Sequence, residues 1–497
     1  MSRYVCGIDN GGTAVKCALF DLKGREIAVV SAPTPLHSPR PGFEERDMDQ
    51  LWAANADVIR RCIEKAGISG DEIIGVGCTG HGKGLYPVAA DGTPVRYAIA
   101  STDSRAVSYI EKWSEDGTSD KLSELTLHRP IACQPTALLA WLRDNEPDSY
   151  KNIRWVFEAK DYIRFRLTGE ARAETTDYSG SGMMNLREQQ FDKKIFDIIG
   201  SPEMFDCLPE LCSSAELCGR VSAEAARVTG LKEGTPVSGG MFDIDACAIA
   251  AGVTDGDTIC MITGTWSINE YVADAPVLDG GNLNSLYCIP GKYLIEESSA
   301  TSAGNLEWLV SLMMEKEAEE AKKAGVSVYK LIDDMVDALK PEDSDVMFVP
   351  FLYGTNSSGR NRAVFDGLDM SHGKVHLLRA VFEGVAFSHY YHLSRLLSAR
   401  TAPGAIRMVG GAARSSVWAQ MFADVMGIPV VTVTAKEPGA LGAAMSSAVA
   451  SGHFADYNAA AAEMVGFRET IYPDAGRHDI YMKKYEKYCR LIGVKGE

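Results

Sequence analysis

The sequence lacks three features that would assign it to a large class at once: an excess of positive charge, a long hydrophobic run and a paired-cysteine motif. Its 50 Lys and Arg residues stand against 67 Asp and Glu residues, which leaves a net charge of −17. A surface of that sign repels nucleic acid and anionic membranes, and no apolar run reaches the length of a membrane span. We therefore expect neither nucleic acid nor a membrane as a partner.

The 12 cysteines form no C-x-x-C pair and show no zinc-ligand spacing. Several of them, namely Cys6, Cys17, Cys247 and Cys260, lie inside apolar stretches, which is typical of buried free thiols in a reducing compartment. The first residues pass directly into a predicted strand without the apolar core of a signal peptide. The sequence therefore predicts a cytoplasmic protein.

What the sequence has is length and ordinary apolar content. Its 497 residues are 46% hydrophobic and 24% charged, values typical of globular proteins. Such a length predicts two large domains or roughly three smaller ones.

The first residues alternate between apolar and polar positions in a way that predicts strands followed by a helix. Asp47 is placed to cap that helix, which ends at Gly67, and Pro-rich sequence separates it from the strands before it. The order of elements indicates an α/β unit, in which ligands bind at the carboxyl ends of the strands. The predicted strands are Tyr4–Ile8, Ala14–Phe20, Glu26–Ser31 and Ile73–Cys78.

The second half of the chain repeats this scheme more loosely. It predicts strands, then a helix after a Gly-Gly turn, then further helices from Leu441 onward. The join between the halves is expected between Asp243 and Gly256. The predicted elements are Thr258–Thr263, Ser267–Val272, Ile406–Val409 and the helix Ser415–Met426.

Each half carries a glycine turn directly after a predicted strand: Asp9-Asn10-Gly11-Gly12-Thr13 in the first and Gly264-Thr265-Trp266 in the second. Glycine lets backbone N–H groups approach a phosphate closely. Asp9, at the end of its strand, is placed to hold Mg²⁺ through water. Either turn alone is equally compatible with an ordinary loop, but the pair favours a duplicated fold that binds one polyphosphate from both sides.

Several further segments resemble the FGGY family of carbohydrate kinases, within the actin-like ATPase superfamily. Ala363 to Leu368, followed by His376 to Glu383, resembles the C-terminal signature of the family, and Gly410 to Gln420 resembles its adenosine-binding turn and helix. The resemblance extends from Tyr4 to about Gly452. It implies an α/β fold of two ribonuclease-H-like (actin-like ATPase) domains with a cleft between them.

The domains implied are an N-terminal sugar-binding domain over residues 1–247, an ATP-binding domain over 248–452 and a helical extension over 453–497 packed on the second domain. The cofactors implied are ATP and Mg²⁺, with Asp9 at the metal. The residues expected to bind ATP are Gly11, Gly12, Thr13, Gly264, Thr265, Gly410, Gly411 and Ala412.

The general base implied by the resemblance is Asp243, because the catalytic aspartate of the family follows a Gly-Gly pair, here Gly239-Gly240. One carboxylate should accept the proton of the sugar hydroxyl during phosphoryl transfer. Asp245 is the rival, and it also suits the cap of a helix from Ala246 to Ala251.

The sugar is expected to bind His81, Gly82, Asp103 and Arg105, together with Asp243. Charged and imidazole groups discriminate between hydroxyl patterns when they are buried. Each has an ordinary alternative, since a lone histidine is usually structural and an Asp-Arg pair is often a weak surface pair.

Two positions depart from the family pattern. Ser101 replaces an aromatic residue beside Asp103, which leaves the identity of the sugar open. Leu138 stands where lysine is usual. An exposed lysine on this predicted helix would be easily lost, and we interpret the change as a mark of the subfamily and not as a loss of activity.

Some segments, among them Pro39 to Met48 and Gly82 to Leu85, look similar to those of L-xylulose kinase-like members. The resulting hypothesis is ATP-dependent phosphorylation of a small sugar or polyol, foremost a ketopentose such as L-xylulose. Ribulose, D-xylulose and erythritol remain alternative acceptors, and a non-catalytic sugar- or nucleotide-sensing protein remains an alternative class. A homodimer is compatible with the sequence.

Overall fold

The computed structural model describes residues 3–264, 266–278, 283–354, 362–398 and 400–494. The chain forms two compact units. The first consists of Met1–Thr254, Val272–Ile295 and Glu437–Gly466, and the second of Asp255–Tyr271, Glu296–Lys436 and Phe467–Glu497. Each unit is thus assembled from separated parts of the sequence.

The strands are short in most of the chain and long in the two main sheets. In chain order they are β1 (Tyr4–Asn10), β2 (Ala14–Asp21), β3 (Glu26–Pro33), β4 (Glu45–Arg46), β5 (Ile73–Gly80), β6 (Tyr86–Val88), β7 (Ala98–Ile99), β8 (Trp155–Phe157), β9 (Arg172–Glu174), β10 (Met184–Asn185), β11 (Gln190–Phe191), β12 (Glu210–Cys212), β13 (Leu217–Arg220), β14 (Pro236–Ser238), β15 (Met241–Phe242), β16 (Thr258–Thr263), β17 (Ser267–Ala273), β18 (Leu283–Leu286), β19 (Tyr293–Ser299), β20 (Met347–Val349), β21 (Val364–Asp366), β22 (Ala405–Gly410), β23 (Val430–Val433) and β24 (Phe467–Ile471).

The α-helices are α1 (Met48–Ala66), α2 (Val107–Glu115), α3 (Thr118–Thr126), α4 (Pro135–Asn145), α5 (Pro147–Lys151), α6 (Ala159–Thr168), α7 (Thr175–Gly180), α8 (Lys193–Ile198), α9 (Ala223–Thr229), α10 (Asp243–Ala250), α11 (Gly304–Met313), α12 (Glu315–Lys323), α13 (Val328–Asp337), α14 (Lys374–Leu397), α15 (Ser416–Met426), α16 (Pro438–Ala450), α17 (Tyr457–Met464) and α18 (Ala475–Ile492). Short 3₁₀ turns lie at Gly70–Glu72, Pro202–Cys207, Pro341–Asp343 and Ala412–Arg414.

The main sheet of the first unit runs in the order β13-β14-β5-β1-β2-β3, with β15 also paired to β5. The strands β1, β2 and β3 are antiparallel, and β5 is parallel to β1. Helix α1 begins as predicted, because the Asp47 side chain accepts hydrogen bonds from the Asp49 and Gln50 backbone N–H groups, both at 2.9 Å. It ends at Gly67, whose φ of +66° favours glycine.

Helix α16 covers β1 and β5 at unusually short range. A Cβ placed on Gly7 would lie 1.8 Å from the carbonyl oxygen of Ala440, and one on Gly77 would lie 1.9 Å from that of Ala443. Both strand positions therefore require glycine, which lets the helix backbone rest on the sheet.

The main sheet of the second unit includes the strands β19-β17-β16-β22-β23-β24 in that order. β16 is antiparallel to β17 and parallel to β22, which is in turn parallel to β23. The predicted strands around Gly264 and before Gly410 are confirmed, as is the helix after Ser415. The second unit thus repeats the arrangement of the first.

Three expectations are wrong in detail. The helix after β15 begins at Asp243, not at Ala246. The C-terminal region contains the strand β24 among its helices, because Phe467–Ile471 pairs with β23 at the edge of the sheet. Leu138 is fully buried in α4, so it does not mark the loss of an exposed lysine.

All 12 cysteines are free, and nine of them are buried while Cys133, Cys207 and Cys247 are half-buried. In the part of the chain that the structure describes, no helix combines the length and the apolar character needed to cross a membrane.

Candidate active site

Three neighbouring parallel strands of the first unit end at one edge of the sheet. β5 lies between β1 and β15, with Gly80 in register with Asn10 on one side and with Phe242 on the other. The segments that follow these strands are therefore neighbours. They contain the first glycine turn, the His81-Gly82 pair and Asp243, so these sequence-predicted residues lie close together.

Asp9 lies at the end of β1 and is half-buried. Its pKa is raised to about 6, mainly by burial; the Lys16 ammonium lowers it and the nearby carboxylate of Glu437 raises it. Lys16 lies 2.7 Å from Glu437. Gly439, in the first turn of α16, is so close that a Cβ there would lie 2.8 Å from Asp9 Oδ2.

The glycine turn after β1 leaves its backbone accessible. Gly12 and Thr13 are exposed, and a Cβ on Gly12 would meet nothing within 4 Å. The buried Arg46 fixes the turn from below, since its Nη2 donates a hydrogen bond to the Gly12 carbonyl oxygen. Its Nη1 lies 3.5 Å from His81 Nε2. Arg46 thus connects the turn to the imidazole, a connection that the sequence did not indicate.

His81 is buried, and its backbone N–H donates to the Asn10 carbonyl oxygen at 3.1 Å. Its Nε2 lies 3.0 Å from the Tyr86 hydroxyl. Burial and the charge of Arg46 lower its pKa to about 3, so the ring is neutral at physiological pH. A Cβ on the next residue, Gly82, would lie 2.6 Å from the ring of Phe242. Because Gly82 has no side chain, the loop after β5 packs against Phe242, the residue before Asp243.

Asp103 and Arg105 form a buried pair, not a surface one. Arg105 Nη2 lies 2.9 Å from Asp103 Oδ2, and both side chains are fully buried. Asp103 Oδ2 also accepts from the Glu44 backbone N–H at 2.7 Å, and Arg105 Nη2 donates to Glu45 Oε1 at 2.9 Å. The pair therefore holds the segment that carries Arg46, while Arg105 Nη1 has no hydrogen-bond partner among the described residues.

Asp243 and Asp245 lie in the first turn of α10 and differ in environment. Asp243 is half-buried at the edge of the sheet. Asp245 is fully buried, and burial together with the charge of Glu174 raises its pKa well above the ordinary value. Of the two carboxylates, that of Asp243 is therefore the one that a substrate can reach.

In the second unit, the two predicted turns follow adjacent parallel strands. Thr263 at the end of β16 is in register with Gly410 at the end of β22. A Cβ on Gly264 would meet nothing within 4 Å, whereas one on Gly410, whose φ is +98°, would lie 2.8 Å from the Thr263 carbonyl carbon. Gly411 is exposed and Ala412 is buried behind it. Thr265 lies outside the described residues.

The donor set fits the cofactors that the sequence implies. Asp9 and Glu437 offer carboxylate oxygens, the ligands that Mg²⁺ prefers, and Mg²⁺ takes most other ligands from water and substrate phosphates. Within the described ranges no group of three or more His, Cys, Asp or Glu side chains is arranged to hold a metal. The uncovered glycine backbones at Gly12 and Gly264 suit phosphate oxygens.

The fold and this site together define a sugar kinase built from two actin-like ATPase domains. The structure is similar to the crystal structure of xylulose kinase from Rhodospirillum rubrum, with a TM-score of 0.84 and 26% sequence identity over 99% of this chain and 98% of that one. This confirms the fold class expected from the sequence.

The chain belongs to the FGGY family of carbohydrate kinases. The N-terminal domain of that family matches residues 4–250 and the C-terminal domain matches residues 259–451. Among its relatives are L-xylulose/3-keto-L-gulonate kinase of Escherichia coli, 36% identical over 99% of this chain and 97% of the relative, and a probable L-xylulose kinase of Haemophilus influenzae, 34% identical over 99% and 98%. The enzyme therefore phosphorylates a carbohydrate hydroxyl with ATP and Mg²⁺, as expected.

Lys83 is a second residue of interest that the sequence indicated only as part of a segment. Its φ of +66° is rare for a residue with a side chain. Two hydrogen bonds hold its backbone N–H in place, to Glu158 Oε2 at 3.2 Å and to Ser181 Oγ at 3.1 Å. This conformation directs the ammonium to within 5.5 Å of the centre of the Phe242 ring. Strained backbone of this kind is often found at functional sites.

Proposed function

We propose that the enzyme transfers the γ-phosphoryl group of ATP to a hydroxyl of L-xylulose or a closely related ketopentose. The observation that supports this most directly is the convergence of Asp9, His81-Gly82 and Asp243 at the ends of three adjacent parallel strands. The relatives named for L-xylulose are similar to the chain over almost its full length.

In this proposal, Asp243 accepts the proton of the attacking hydroxyl. Bound ATP and Mg²⁺ supply an electrophilic phosphoryl group whose charge is partly neutralised. Asp9 and Glu437 would hold the metal, and neutral His81 with the Gly82 backbone would orient the sugar. The Asp103–Arg105 pair shapes the sugar pocket and offers Arg105 Nη1 to a sugar hydroxyl.

The phosphates and the adenosine are assigned to the glycine turns. Gly11, Gly12 and Thr13 in the first unit and Gly264 with Thr265 in the second would donate backbone N–H groups to phosphate oxygens. The adenosine would lie against Gly410, Gly411 and Ala412. Gly411 is exposed and has no side chain, and Ala412 is buried, so the planar base has room there.

A second acceptor is favoured by Lys83. The relative from Escherichia coli is named for 3-keto-L-gulonate as well as L-xylulose, and that compound carries a carboxylate. The Lys83 ammonium lies 5.5 Å from the centre of the Phe242 ring, and Phe242 directly precedes Asp243. At that place it would attract such an anion. We therefore include a ketoaldonate among the proposed acceptors.

The test is ADP release by the purified enzyme with L-xylulose, D-xylulose, L-ribulose, erythritol and 3-keto-L-gulonate, each against the Asp243→Ala variant. We expect L-xylulose or 3-keto-L-gulonate to give the highest kcat/KM. If another compound gives the highest kcat/KM, it replaces these two as the proposed acceptor. If no compound raises ADP release above that of the variant, the acceptor lies outside this set.

We also infer that the enzyme works in the cytoplasm. The free state of its 12 cysteines suits a reducing compartment, and ATP is available there. Fractionation of cells that produce the protein, with blotting of each fraction, tests this placement.

A further inference from the structure

The residue directly before Asp243 is held by a buried threonine. The Phe242 backbone N–H donates to Thr176 Oγ1 at 2.9 Å. Thr176 lies in α7 and is fully buried. Its own hydroxyl donates to Glu174 Oε2 at 2.7 Å, so the single oxygen both accepts from the segment that carries Asp243 and is fixed in orientation from behind.

Glu174 is a rigid anchor for that hydroxyl. It is fully buried and caps α7, where its Oε1 accepts from the Thr176 backbone N–H at 3.0 Å. Oε1 also accepts from Ser214 Oγ at 2.7 Å, and the Lys160 ammonium lies 3.4 Å from Oε2. A carboxylate with this many donors in a buried setting has one orientation.

Ser214, which donates to Glu174, also holds the turn that precedes Phe242. The Ser214 carbonyl oxygen accepts from the Gly240 backbone N–H at 3.1 Å and from Ser446 Oγ at 2.6 Å. Gly240 has a φ of +76°, and a Cβ there would lie 1.9 Å from the Cys78 carbonyl oxygen. The turn is therefore packed closely against β5, and Thr176 holds the residue directly before Asp243.

We propose that Thr176 is a positioning residue that sets the location of the Asp243 carboxylate through the Phe242 peptide. When the Thr176 hydroxyl is removed, the Phe242 N–H loses its acceptor and the peptide rotates. This rotation displaces the Asp243 side chain. Small displacements of a reacting group cost far more in rate than in binding. This inference rests on the proposed role of Asp243 as the base.

The test compares Thr176→Val with Thr176→Ser. Valine keeps the shape but removes both hydrogen bonds, and we expect kcat to fall roughly 10- to 100-fold while the KM values for sugar and ATP change less than about 3-fold. Serine keeps the hydroxyl and should restore kcat to within about 3-fold of the wild type. Thr176→Ala also removes the hydroxyl but adds no methyl group in its place. It replaces the valine variant in the test if that variant does not fold.

The matched control is Thr229→Val. Thr229 is equally buried, donates to the Ala225 carbonyl oxygen at 2.7 Å and accepts from the Leu231 backbone N–H at 3.2 Å. Thr229→Val therefore also loses one donated and one accepted hydrogen bond, here at the end of α9. Equal losses of kcat in the Thr176 and Thr229 variants would overturn the inference, as would a loss confined to KM. Full activity of Asp243→Asn would instead overturn the proposed function, so the two failures are distinguishable.

Discussion

The carboxylate of Asp245 accepts a hydrogen bond from the Cys288 backbone N–H at 3.0 Å. Asp243, two residues earlier in the same helical turn, is half-buried at the end of β15. Successive odd positions share a face in a strand but diverge by about 200° in a helix. Because α10 already begins at Asp243, the two carboxylates have different partners and different roles are expected for them.

Replacing each aspartate should separate these roles. Asp243→Asn is expected to lower kcat about 10²- to 10⁴-fold, the usual contribution of a general base, without weakening ATP binding. Asp245→Asn keeps an acceptor for Cys288 and removes the cost of burying an ionisable carboxyl group, so it should keep most of the activity and raise the melting temperature. Steady-state kinetics and thermal unfolding of both variants check this, and a larger kcat loss in Asp245→Asn would reverse the assignment.

Removing the ammonium of Lys83 should change the preference between acceptors. Lys83→Met is expected to lower kcat/KM for 3-keto-L-gulonate about 10- to 100-fold, as the loss of a charge-assisted hydrogen bond does, and for L-xylulose less than about 3-fold. Lys65→Met, at an exposed lysine that donates to the Val29 carbonyl oxygen, is the control. Equal losses for both sugars would show that Lys83 does not recognise a carboxylate.

Arg46 should affect both substrates, because it contacts the glycine turn and His81 at once. We expect Arg46→Met to lower kcat/KM for ATP and for the sugar at least about 10-fold each, from the lost hydrogen bonds of a buried guanidinium. Arg60→Met removes an exposed guanidinium that pairs with Asp57 and Glu64 and should leave both values within about 3-fold. An effect on one substrate alone would contradict the connection.

A methyl group on Gly439 should weaken the metal site. In Gly439→Ala the new Cβ would lie 2.8 Å from Asp9 Oδ2, so the carboxylate must move. We expect the Mg²⁺ concentration for half-maximal activity to rise about 10-fold, within the range for altered supports of metal ligands. Gly373→Ala, where a Cβ meets nothing within 4 Å, is the control, and an unchanged Mg²⁺ requirement would exclude Asp9 as a ligand.

Buried His389 should make the protein sensitive to acid. Burial and the charge of His392 lower its pKa to about 3, while in the unfolded chain it titrates near 6.5. The unfolded state therefore takes up a proton first, and stability falls as pH drops from about 6.5 toward 3. His389→Gln should reduce this slope by up to about 1.4 kcal/mol per pH unit, and exposed His453→Gln should leave it unchanged. Unfolding curves between pH 7 and 5 measure both.

The sequence predicted the elements whose signals are local. The Asp47 cap and Gly67 end of α1, the alternation in β1 and β2 and the glycine turns all follow from neighbouring residues. The strand β24 was missed, because its five residues are mostly exposed and become a strand only by pairing with β23.

Within the site, the sequence identified the residues that follow strands but not those that support them. Arg46 lies in a two-residue strand, and nothing in the sequence connects it to Gly12 or His81. The surface alternative for the Asp103–Arg105 pair is wrong, because both side chains are buried. Long-range contacts of this kind depend on how separate segments pack and leave no periodic pattern.

The close packing of α16 on Gly7 and Gly77 affects how the protein folds during its synthesis. Strands from the first 80 residues are covered by a helix that begins at Pro438, so the ribosome has synthesised most of the chain before the first unit can close. Until then one face of its central strands is open to other partners, which favours association with chaperones during synthesis. A fragment that ends at Thr254 would keep that open face permanently.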